Sequence, residues 1–189
     1  MFTTFVFDFY DVIRIDPYKK WLNDHGFTRD GEFYDIAARY DRGMIDFDEL
    51  MQGLAELSGQ TTQQVDSAFK SANNFDDDVI DVIEKLSLDF KVGMLSNAGG
   101  PGLRRILNEK GIEKHFKEII ISGEVGHIKP EPKIFEIALE RLESKPQETI
   151  FIDDNLNNCE AANQLGITSI QFIGCMQLKD SLKEIGVEV

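Results

Sequence analysis

At 189 residues, 42% hydrophobic and 29% charged, the chain has the composition of a globular protein with room for one buried core and a small accessory unit. Its net charge of −14 argues against nucleic acid and anionic membranes as partners, since both demand a basic surface. Its two cysteines, Cys159 and Cys175, lack metal-ligand spacing and argue against a disulfide framework or a zinc site.

The first element is an apolar run, Phe5-Val-Phe7, that reads as a buried parallel strand and stops at a carboxylate, Asp8. Ligands of open α/β sheets gather at the carboxyl ends of strands, so Asp8 is expected at the active edge. From about Asp16 to Ala72 only helix signals follow. Asp16-Pro17 starts one helix, Asp46-Phe-Asp-Glu49 forms a capping box for a helix ending near Ser58-Gly59, and Thr61 or Thr62 caps another through Phe69. Trp21, Phe33, Tyr34, Tyr40 and Phe47 are expected mostly to form this block's own core.

From Asp76 onward helices and strands alternate. Val79, Val82, Ile83 and Leu86 share one helical face, and Lys91–Leu95 is a strand ending at Ser96-Asn97. Gly99-Gly-Pro-Gly102 opens a helix to Lys110, Glu118–Ile121 is a strand, and Pro132 starts a helix through Leu142. Thr149–Ile152 is a strand ending in Asp153-Asp154; then come a helix over Asn155–Leu165, a short strand over Ser169–Phe172 and a closing helix over Gln177–Ile185. Such alternation predicts right-handed crossovers and a parallel sheet of five or six strands.

Four strand-end or loop sites fall on one edge of that sheet: Asp8, Ser96-Asn97, Lys129 and Asp153-Asp154. Singly, each has an ordinary reading; Lys129 alone reads as a solvent-exposed loop lysine, and Ser96-Asn97 as a turn. Together they suit phosphoryl transfer, which needs positioning and electrostatics. Asp8 would be a nucleophile forming an aspartyl-phosphate. Clustered acids, Asp8 with Asp153-Asp154, suit a hard cation with oxygen ligands, namely Mg²⁺, which also makes an anionic substrate compatible with an acidic chain. Ser96 and the amide of Asn97 would donate to phosphoryl oxygens, and Lys129 would neutralise charge on the nucleophile and the transferring group.

These segments, in this order, resemble the four motifs of the haloacid dehalogenase superfamily of hydrolases: Asp8-Phe-Tyr-Asp-Val-Ile13, Leu95-Ser96-Asn97, Lys129-Pro130-Glu-Pro132 and Phe151-Ile-Asp-Asp154-Asn155. The stretch from Asp153 to Gly166 is especially similar to the family's last segment. Arg42-Gly-Met-Ile-Asp-Phe47 resembles a segment of the branch containing sugar-phosphate phosphatases and the amino-terminal domain of soluble epoxide hydrolase. The resemblance implies a three-layer Rossmann-like α/β core over residues 1–14 and 77–189 and a helical cap over 15–76. It further implies a phosphatase of a small phosphorylated metabolite, a monomer or homodimer; the acidic charge and the lack of an apolar stretch of spanning length lead us to expect a cytoplasmic protein with no nucleic-acid or membrane partner. Mg²⁺ would be held by Asp8, the carbonyl of Tyr10 and Asp154, with Asp153 supporting Lys129 or the water shell. Phosphatases of the family usually carry a second Asp, the acid/base, where Tyr10 stands. Tyr there also fits a metal-free 2-haloacid dehalogenase, whose last motif usually replaces the first acids with serines, whereas this chain keeps Asp153-Asp154. A non-catalytic phospholigand-binding protein is the third reading.

Overall fold

The computed structural model describes residues 1–189. Five strands form one wholly parallel sheet, β1 (Thr4–Phe7), β2 (Lys91–Ser96), β3 (Glu118–Ile121), β4 (Thr149–Asp153) and β5 (Thr168–Gln171), in the order β3-β2-β1-β4-β5. The chain is therefore an α/β protein, and its strand count sits at the lower expected value.

The period of two along each strand builds two cores. Phe5 and Phe7 on β1, Met94 on β2, Ile121 on β3 and Ile152 on β4 face one side. They pack there under α5 (Asp77–Asp89), α6 (Gly100–Lys110) and α10 (Cys175–Glu184). Val6, Leu95, Ile120 and Phe151 face the other side, under α8 (Pro132–Leu142) and α9 (Leu156–Gln164). Phe5 and Phe7 are fully buried, and each such side chain contributes about 1.5–3 kcal/mol.

Between β1 and α5 the chain forms a helical unit of α1 (Pro17–His25), α2 (Gly31–Asp41), α3 (Phe47–Ser58) and α4 (Thr62–Ser71). Its own core gathers Trp21, Leu22, Leu54, Val65 and Phe69. The capping signals hold as expected: the Asp16 side chain accepts the Tyr18 N–H, and Asp46/Glu49 and Thr61/Gln64 both form reciprocal boxes. One expectation for its aromatics needs correction: Tyr34 and Phe47 are exposed rather than core. Tyr40 packs against the unit's core and also lies over Gly99 of the sheet domain, where any β-carbon would strike its ring. The two connecting segments run side by side, Ile15 N–H donating to the Asn74 carbonyl and Asp76 N–H to that of Ile13.

The unit docks on the edge that carries the strand ends. Gly43 adopts φ +70° and meets the backbone of Gly123, an approach too close for any side chain. The Ser122 hydroxyl, on the one-turn helix α7 (Ser122–Val125), donates to the Asp41 carbonyl.

Candidate active site

Parallel register places the acids. Phe7 pairs with Ile152, so the residues that follow, Asp8 and Asp153, emerge next to each other at the carboxyl edge. Between them Lys129 bridges from the loop ahead of α8, its Nζ 2.8 Å from Asp8 Oδ1 and 2.7 Å from Asp153 Oδ2. Lys129 is only 3% exposed, which corrects the reading of this residue as a solvated loop lysine. Its backbone is clamped by Asn97: the Lys129 N–H donates to Asn97 Oδ1, and Asn97 Nδ2 donates to the Lys129 carbonyl. That pair of bonds commits the Asn97 side chain to the lysine's backbone.

The three acids have different commitments. Both Asp153 oxygens are engaged, by the Asn155 N–H, by the Asn158 amide and by Lys129, which makes it an anchor for that lysine. Asp8 Oδ1 accepts from the Phe9 N–H and from Lys129, while Oδ2 has no protein partner. Asp154 Oδ2 accepts from Lys19 of α1 at 3.1 Å, and Oδ1 has no protein partner. One oxygen from each of Asp8, Asp153 and Asp154 lies within 4.8 Å of the others.

The charges do not balance within the cluster. Burial lifts the Asp8 carboxyl well above the usual carboxylate range; Lys129 opposes that rise and Asp153 adds to it. Burial likewise raises Asp154, against the pull of Lys19. Burial alone would lower Lys129, but Asp153 and Asp8 outweigh it and hold the ammonium protonated. Asp8 and Asp153 share one buried lysine and Asp154 meets only the half-exposed Lys19, an all-oxygen donor set still short of positive charge that fits a hard dication. Beside them the Ser96 hydroxyl is fully buried with no hydrogen-bond partner, a condition that costs about 1–3 kcal/mol unless a ligand satisfies it.

Tyr10 does not stand free in the cleft. Its ring packs edge-on against Phe9 with centroids 5.0 Å apart, and burial raises its phenol, with Asp16 adding to the effect. Above it the helical unit contributes groups that the sequence did not single out. Arg29 stacks over Tyr18 and lies 3.5 Å from Asp41 and 3.9 Å from Asp16. Burial pushes the Asp41 carboxyl up to about 7. Asn158 was missed as well, although its position one helical turn into α9 after Asp153 was a usable signal. His127 stays at the rim beside Glu131, and Cys159 is a buried packing residue.

Comparison with known proteins gives one consistent answer. A family model described as haloacid dehalogenase-like hydrolase matches residues 2–166. A glyceraldehyde 3-phosphate phosphatase of Methanopyrus kandleri is 30% identical over 57% of this chain and 46% of its own length. A D-ribitol-5-phosphate phosphatase of Bacteroides thetaiotaomicron is 26% identical over 72% of this chain and 70% of its own. The match thus spans less than half of the first relative. A HAD family enzyme from Bacteroides thetaiotaomicron, solved in complex with magnesium and inorganic phosphate, superposes with a TM-score of 0.70 at 26% identity, covering 90% of this chain and 93% of that one. No helix is long and apolar enough to cross a membrane.

Proposed function

The chain belongs to the haloacid dehalogenase-like hydrolase family, and we propose that it is a Mg²⁺-dependent phosphomonoester hydrolase acting through an aspartyl-phosphate. Its substrate class is a small phosphorylated metabolite, with sugar phosphates favoured by the phosphatases among its relatives. The reading rests on one observation. Asp8 has one oxygen pinned by Lys129 and the Phe9 N–H and the other unpaired, while a partnerless Ser96 hydroxyl ends the neighbouring strand β2.

In this reading Asp8 Oδ2 attacks phosphorus as the ester P–O bond breaks, and water then attacks the same phosphorus to release phosphate and restore the carboxylate. Lys129 holds Asp8 in line and offsets charge on the transferring group. The Ser96 hydroxyl and the Asn97 backbone N–H donate to phosphoryl oxygens. Asp153 keeps Lys129 in place. Asp8, the Tyr10 carbonyl and Asp154 would hold Mg²⁺, which when bound supplies positive charge for the phosphoryl oxygens. Tyr10 stands where phosphatases of the family carry the acid/base Asp, and with no carboxylate at that position the leaving alkoxide takes its proton from water. Residues 15–76 act as a cap over residues 1–14 and 77–189.

Tyr10 is the observation that favours a 2-haloacid dehalogenase; the paired acids Asp153-Asp154, which repel each other and Asp8 without a cation, favour the phosphatase. A panel of sugar phosphates, other phosphomonoesters and 2-haloacids, each with Mg²⁺ or a chelator, separates them. Phosphate-ester turnover should vanish with chelator and in Asp8→Asn, whose circular dichroism should match the parent. Chelator-resistant haloacid turnover would refute the phosphatase, and stabilisation by phosphate without any turnover would leave a binding protein.

A further inference from the structure

The cap touches the candidate metal site through one charge. Lys19, in the first turn of α1, places its Nζ 3.1 Å from Asp154 Oδ2 and 2.7 Å from Asp11 Oδ2. The other cap cations near the junction are engaged elsewhere: Lys20 with Asp24, Arg29 with Asp16 and Asp41, and Arg42 with Glu131. Asp11 is itself tied to the start of α1. Its Oδ1 accepts the Asp16 N–H at 2.9 Å, and its backbone holds φ 57°. Lys19 therefore reads the position of the cap helix on one side and the Asp154 carboxylate on the other.

We propose that Lys19 is a positioning residue through which cap docking and Mg²⁺ binding compete for Asp154. The proposal rests on the reading that Mg²⁺ binds at Asp8 and Asp154. Lys19 pins the cap to the core through Asp154 Oδ2 and leaves Oδ1 without a protein partner, while its fixed charge opposes a dication beside it. Coupling between two bound groups is reciprocal. Whatever affinity Mg²⁺ loses to the ammonium, the Lys19–Asp154 contact loses when the cation arrives, so metal loading loosens α1 from the core. Loosening is useful here, because Asp8 is only 7% exposed.

The test is titration calorimetry with Mg²⁺ alone on the full chain, paired with hydrogen exchange of Pro17–His25 with and without saturating Mg²⁺. Lys19→Met should bind Mg²⁺ about three- to tenfold more tightly than the parent, the scale of a screened interaction between a half-exposed ammonium and a dication. Lys19→Arg, which keeps the charge, should retain the parent affinity. Mg²⁺ should speed exchange in α1 of the parent and leave Lys19→Met unchanged. Half-exposed Lys19 is not part of the core, and Lys19→Gln serves as a second variant should the methionine protein aggregate. Equal or weaker Mg²⁺ binding in the folded variants, with the parent binding normally, overturns the proposal alone. A parent that binds no Mg²⁺, or an Asp154→Asn protein that binds it as the parent does, overturns the metal reading beneath it.

Discussion

Lys129→Met removes the cation between two buried carboxylates while keeping most of the stem volume. Asp8 is 7% exposed and Asp153 fully buried, with the lysine 2.8 Å and 2.7 Å from them. Taking one partner from a buried ion pair costs about 3–5 kcal/mol, because the remaining charge is left uncompensated. Asp153 keeps the Asn155 N–H and the Asn158 amide, so most of the cost falls on Asp8, whose one other partner is the Phe9 N–H. For a chain of this size the loss corresponds to a drop in Tm of roughly 6–20 °C. The cost depends on pH with a definite sign. Burial already raises the Asp8 carboxyl above its unfolded value, and losing Lys129 raises it further. A group raised on folding contributes its stability below the unfolded pKa and loses it as pH rises through the folded one. The deficit against the parent should therefore be small near about pH 5 and widest near about pH 8. Thermal and urea melts of both proteins at the two pH values measure it, and Asp8→Asn/Lys129→Met should recover part of the loss. A variant within about 1 kcal/mol of the parent at both pH values, or a deficit larger in acid, would refute the reasoning.

Two further outcomes follow from groups in the cap. Asp41→Asn should leave stability nearly unchanged near about pH 4 and raise it by about 2–4 kcal/mol near about pH 8, because a carboxyl held up to about 7 by burial stays protonated in the fold while the unfolded chain ionises from about pH 4 upward; pH-dependent melts check this, and a variant less stable than the parent at the higher pH contradicts it. Gly43→Ala should cost about 1–3 kcal/mol, since the residue sits at φ +70° and its new methyl meets the Gly123 carbonyl; a Tm equal to the parent's would show that the cap shifts freely on the core.

Much of this molecule was legible from short stretches of chain. Backbone propensity, side-chain capping and the period of apolar residues act within a few positions, so α1, α3, α4, α8 and the strand runs could be read locally, as could the carboxylate or Ser-Asn ending β1, β2 and β4. Helix α2 escaped as a separate element because no side chain caps it and it opens on Gly31 at φ +49°. Helix α7 escaped because four residues hold no period. The state of each charged side chain was a different matter. Nothing near Lys129 in sequence tells that it is buried; its partners arrive on the ends of β1 and β4, brought together by the Phe7–Ile152 register. Nor could Asn97 be known to clamp the Lys129 backbone, or Lys19 to meet Asp154 across 135 positions of chain. Which carboxylate oxygen is satisfied and which stays unpaired depends on groups remote in sequence, and only the packed sheet and its docked helices bring those within hydrogen-bond reach.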